Sequence, residues 1–311
     1  MRDYSIMQFA LSRGIGEATI KRIIQFIDRE NISWEEIANN PRLQSEIGLS
    51  EEVISKSIAA RPQAQKLTDE LYSKGIEIVL ENDSTYPQHL KKKLGNKCPP
   101  LLFIKGNKAL LNSNSVGFCG SRKASGKGLS IAEECAKQFA ERNTTVVSGY
   151  ASGIDMAAHT SALMNGGNTI FVLAEGIMRS SIKGDIKNCL SGTNHVFISQ
   201  FMPNTTWNAG NAMRRNGTII GLSRAMILVE SGKNGGTFAA GEEALRVGCP
   251  LFVIDFAQPE VSAEANPYFI EKGGMPIRGK NGIPSLSKVF EMISNNSTND
   301  TALPEQLKFD I

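Results

Sequence analysis

Four segments rich in glycine and serine hold the residues best suited to handling phosphate. The first, Gly120-Ser121-Arg122-Lys123, follows a short apolar run, Val116–Cys119, and precedes a helical pattern from about Leu129. That order reads as strand, loop, helix. A glycine lets backbone approach a ligand closely, and a helix start offers N–H groups to an anion. Arg122 and Lys123 add mobile positive charge. The second segment is Ser148-Gly149-Tyr150-Ala151-Ser152-Gly153-Ile154-Asp155, the third Ala174-Glu175-Gly176-Ile177, and the fourth runs from Glu230 through Gly235-Gly236-Thr237. One such loop is equally an ordinary turn with solvated basic residues. Several facing one crevice are a stronger signal. Arg214-Arg215-Asn216, near the start of another helical segment, fits phosphate or base contact. A solvated helix face is the alternative for that pair. Asp155 reads as a carboxylate stabilised by a helix N-terminus, and no residue stands out as catalytic.

Familiar cofactor patterns are missing. Gly120 to Lys127 approaches a Walker A loop, but its glycines are one residue too far apart, and Gly128 stands where a hydroxyl would hold magnesium. The loop also departs from the dinucleotide fingerprint Gly-x-Gly-x-x-Gly, so ATP hydrolysis and nicotinamide or flavin chemistry are not expected. His89, His159 and His195 are far apart, and Cys98, Cys119, Cys135, Cys189 and Cys249 are scattered singly, which argues against a zinc site or disulfides. Cys119 and Cys249 read as small buried side chains. Neither a metal nor a cofactor is expected.

The elements that must position these loops alternate regularly. From Ser115, strand-like runs end at Cys119, Ser148, Leu173, Ser199, Glu230 and Ile254, with helical segments between most of them. Repeated units of this kind predict an α/β fold, a Rossmann-like parallel sheet with helices on both faces. Ligands in such sheets bind beyond the carboxyl ends of the strands, where the four loops would lie side by side. A small all-helical domain, 1–75, precedes the main domain, 76–293, and a polar tail, 294–311, follows. Ser33 with Glu36 has capping-box spacing, and Ser50 starts another helix. Leu307, Phe309 and Ile311 restore apolar alternation at the end of the tail. Gly14-Ile15-Gly16 between two helical patterns resembles a helix-hairpin-helix turn, with Lys21 and Arg22 beside it. Such a hairpin is either a DNA-backbone contact or a packing element.

The chain of 311 residues carries a net charge of +3, which permits nucleic-acid binding without demanding it. No apolar run is long enough to span a bilayer and the first residues do not form a secretion signal, so a cytoplasmic protein with no membrane partner is expected.

Gly120-Ser121-Arg122, the stretch from Ser148 to His159, Arg215-Asn216, Gly221-Leu222-Ser223 and the upstream Tyr86-Pro87-Gln88-His89-Leu90 together resemble the DprA/Smf family of DNA-processing proteins. The resemblance extends to about Ile277. It implies a Rossmann-like domain that binds single-stranded DNA without catalysis, dimerises and helps load RecA-type recombinase during natural transformation. By the same resemblance, Arg122 and the strand-end loops would line a pocket for the DNA backbone and a base. The family usually has arginine where this chain has Ser152 and Gly217, which implies fewer phosphate contacts and weaker binding. The family's winged-helix module is not expected here. A second likeness, through Gly235-Gly236-Thr237 with Glu242 and Glu243, is to the LOG phosphoribohydrolases, which cleave nucleoside monophosphates. The alternative it implies is a nucleotide sensor or hydrolase using the same pocket.

Overall fold

Local chemistry sets where the first helices begin. They are α1 (Arg2–Leu11), α2 (Glu17–Glu30), α3 (Trp34–Asn39), α4 (Pro41–Glu46), α5 (Glu51–Ala59) and α6 (Arg61–Ser73). Ser33 and Glu36 form the reciprocal capping box at α3, and the Ser50 hydroxyl accepts from Val53 N–H at α5. Proline occupies the first turn of α4 and of α6, where its missing N–H costs nothing. Gly75 follows α6 at φ +67°, a conformation natural to glycine, and turns the chain into the sheet.

The computed structural model describes residues 1–301. After α6 come β1 (Glu77–Leu80), α7 (Gln88–Leu94), β2 (Leu101–Gly106), β3 (Ser115–Cys119), α8 (Gly126–Glu141), β4 (Thr145–Ser148), α9 (Ile154–Met164), β5 (Thr169–Val172) and α10 (Gly184–Lys187). The remainder is β6 (His195–Ser199), α11 (Ala209–Leu222), β7 (Ala225–Leu228), α12 (Gly235–Arg246), β8 (Leu251–Ile254), α13 (Asn266–Glu271), β9 (Met275–Ile277), β10 (Gly279–Lys280), β11 (Ile283–Pro284) and α14 (Ser287–Thr301). The stretch 294–301, placed in a polar tail by composition, continues α14. Leu307, Phe309 and Ile311 lie outside the described residues.

The main sheet has the order β1-β2-β6-β5-β4-β3-β7-β8-β9. It is parallel from β6 to β9, as the alternating pattern predicts, and β1 and β2 extend it as an antiparallel edge. Side chains alternate across each strand. Val116 and Phe118 of β3 face the cluster that includes Ala136 and Phe139 of α8. Ile170 and Val172 of β5 face the cluster containing Ile219 of α11 and Ala240 of α12. Phe171, between them, points the other way, into a cluster continuous with Ile6, Phe9 and Leu71 of the N-terminal helices. The helical region thus shares its core with one face of the sheet.

His159 of α9 sits fully buried beneath that face, its Nδ1 against the Thr169 hydroxyl and its ring 4.3 Å from Phe171. Burial, with the charges of Lys183 and Arg215 nearby, pushes its pKa down to about 3. The folded state therefore keeps this imidazole neutral while the unfolded chain protonates it near its ordinary value. Below about pH 6.5 the unfolded state binds more protons, so stability falls as pH drops from there toward 3. Urea unfolding of wild type should show this loss already between pH 6.5 and 5, above the carboxylate range. His159→Phe should flatten it.

Candidate nucleic-acid interface

The strand order reverses at β3, which has β4 on one side and β7 on the other. A groove of about 1010 Å³ opens there, lined by Gly120 to Lys123 after β3, by Gly232 to Ala240 including the start of α12, and by Ala212, Met213, Arg215 and Asn216 of α11. This is the crevice that an open parallel sheet leaves for ligands.

The groove-lining loops after β3 and β7 lead into α8 and α12, and the chemistry of these two helix starts differs. At α8 the Ser125 hydroxyl accepts from Gly128 N–H, and the buried Glu230 carboxylate accepts from Ser125 N–H at 2.9 Å and from its hydroxyl. The anion position at this helix is thus filled from within the chain. At α12, Asn234 precedes the first turn without a side-chain cap, and Gly235 and Gly236 are exposed. Its first N–H groups open onto the groove beside Arg122. The Thr237 hydroxyl donates to the Gly120 carbonyl and the Asn216 amide to the Gly236 carbonyl, which ties the loop to both neighbours.

A smaller pocket of about 320 Å³ adjoins the groove and shares Arg122, Ala151, Trp207 and Arg215 with it. Arg215 is 5% exposed. Its guanidinium lies over Gly149, where any β-carbon would overlap it, and 3.9 Å from the Asp155 carboxylate. Burial lowers the Arg215 pKa, Asp155 opposes that shift, and Arg122 adds to it. Asp155 itself accepts N–H bonds from Gly149 and Ala151, both at 3.2 Å. The Arg122 guanidinium stands 5.4 Å over the exposed Trp207 ring.

The family model for DNA recombination-mediator protein A matches residues 77–285. The chain belongs to this family. It is 32% identical over 192 residues to DNA processing protein DprA of Streptococcus pneumoniae, covering 61% of this chain and 67% of that one. It is 25% identical over 246 residues to DprA of Bacillus subtilis, covering 77% and 79%. The X-ray structure of the S. pneumoniae protein superposes with a TM-score of 0.72 at 24% identity, over 91% of this chain and 97% of that one. A Helicobacter pylori DprA structure, described for its single-stranded DNA binding mode, aligns at 0.57 and 19% identity, over 72% and 96%.

In this DprA-family chain the fold brings together Gly120, Ser121, Arg122, Lys123, Arg215, Asn216, Gly235, Gly236 and Thr237 on the groove, with Gly149 on the smaller pocket. Ser148 and Ile154 are instead buried. The Ser148 hydroxyl donates to the Phe118 carbonyl, and Ile154 packs against Gly120. Gly153, at φ +77°, lies against the Ser121 carbonyl, which accepts from Ile154 N–H at 3.3 Å. These residues hold the loops together without lining either cavity.

Arg214 points elsewhere. It pairs with Glu17 at the start of α2 and stands over Phe201. Lys21 donates to the Asn96 carbonyl at 2.7 Å. The Gly-Ile-Gly turn is therefore bordered by residues engaged in packing against the sheet domain. Glu242 accepts from the Tyr268 hydroxyl and Glu243 pairs with Arg246, and neither lines the groove.

Sequence reasoning missed Trp207, Arg179 and Lys183. Of these, the lone tryptophan within a polar stretch was the most visible signal. The Lys183 ammonium donates to the Tyr150 carbonyl at 2.6 Å and lies over that ring. Ser152, a departure from the family pattern, lines the smaller pocket, whereas Gly217 has open space around it.

Gly149→Ala must displace the Arg215 guanidinium and should cost about 1–3 kcal/mol in urea unfolding. Gly217→Ala, on the same helix as Arg215 but without close neighbours, should be neutral or stabilising by up to about 1 kcal/mol.

Proposed function

We propose that the chain binds single-stranded DNA across the groove and acts in DNA uptake and homologous recombination. In this reading it is a cytoplasmic homodimer that passes strands to a RecA-type recombinase and catalyses no reaction itself. Family membership supports the reading, as does a relative whose structure is described for single-stranded DNA binding.

One observation carries it furthest. Arg122 stands over Trp207 at the mouth shared by the two cavities, beside the uncapped start of α12. An aromatic face stacks bases of any identity, while cations and helix N–H groups take the intervening phosphates. Lys123, Lys183 and Arg179 extend the positive surface from this point. The hydrolase alternative places its chemistry on Glu242 and Glu243, which are engaged with Tyr268 and Arg246 and do not line the groove.

Fluorescence anisotropy with a labelled dT oligomer tests the proposal. Arg122→Ala should bind about tenfold more weakly and should lower the salt slope by about 0.7, the share of one single-strand phosphate contact. A wild-type protein that leaves the oligomer free at low salt would defeat the proposal.

A further inference from the structure

We infer that Glu175 makes the smaller pocket a reader of base identity, favouring guanine over thymine. The inference rests on the single-stranded DNA reading and adds a specificity to it.

The pocket is small and mixed in charge. Arg122, Arg179, Lys183 and Arg215 line it together with Tyr150 and Trp207. Among the described residues, Glu175 is the only acidic one lining it. Four cations suit a strand's phosphates, but a carboxylate repels them. Its presence in the same pocket therefore points to a different part of the nucleotide.

Glu175 follows β5, and its backbone carbonyl accepts from the Ser199 hydroxyl at 2.7 Å, which fixes the chain at this point. Among the described residues its carboxylate takes part in no hydrogen bond or ion pair, although its charge is felt at Arg215. It thus offers two acceptor oxygens and no donor.

The bases of a single strand expose their pairing edges. Guanine presents a ring N–H and an amino group side by side, a match for both oxygens of one carboxylate. Cytosine and adenine present one amino group next to an acceptor nitrogen. Thymine places its single N–H between two carbonyls, which face the carboxylate unfavourably. Trp207 at the pocket mouth can stack on any of the four, so the selection falls to Glu175.

Competition anisotropy can separate these effects. The competitors are a short dT oligomer and the same oligomer carrying one central dG, dC or dA. Wild type should prefer the dG oligomer over all-dT by about tenfold, with dC and dA between. Glu175→Gln offers one donor and one acceptor, a fit for thymine. It should bind all-dT more tightly than wild type and lose the dG preference. Equal wild-type affinity for the dG and all-dT oligomers overturns the inference and leaves DNA binding intact. A dG preference that survives Glu175→Gln also overturns it. Failure to bind any strand removes the reading beneath it.

Discussion

A guanidinium shut away from solvent organises this site. Arg215 is almost wholly buried between the two cavities, wedged over Gly149 and facing Asp155 at 3.9 Å. A buried cation left without compensation costs several kcal/mol, so its surroundings must be held in place. Three elements do this: α11 carries the arginine, the loop after β4 supplies a glycine with no side chain to collide, and the first turn of α9 brings the carboxylate. Asp155 is oriented in turn by two backbone N–H groups of that same loop. Among the described residues the Arg215 Nε has no hydrogen-bond partner. The charge is therefore only partly answered from within.

The second constraint is the contrast between two helix starts. Both α8 and α12 follow glycine-bearing loops at adjacent strand ends. At α8 an internal carboxylate and a serine hydroxyl occupy the site, and at α12 the first turn is left to the groove. This gives the two helix starts opposite characters: Glu230 closes the positive end of one, and the positive end of the other stays open to the groove.

Much of the scaffold was legible in the sequence, because apolar periodicity and glycine placement are local signals. The strands from Val116 to Ile254 and the adjacency of the loops after β5, β4, β3 and β7 follow from alternation and the rules of parallel sheets. The site was legible only in part. Glu230 reaches Ser125 across 105 positions, and nothing near Gly126 signals that its anion site is taken. Ser148 ends β4 and Gly149 begins the loop after it; both are buried, yet only Gly149 lines the pocket. Arg214 and Arg215 are adjacent on α11, and the turn of the helix sends one toward α2 and the other into the interior. The antiparallel edge of β1 and β2 had no signal beyond short apolar runs.

The apolar cluster that runs from Phe9 and Leu71 into Phe103, Phe171 and Phe197 has a mechanical consequence. Clamps that swing over a bound strand need a hinge with a separable interface. Here the helical region and the sheet are one packed solid, with Phe171 and Phe197 stacked 4.4 Å apart on the shared side. A ligand in the groove would then be met by side chains and short loops at its mouth, with the body of the protein acting as an anvil.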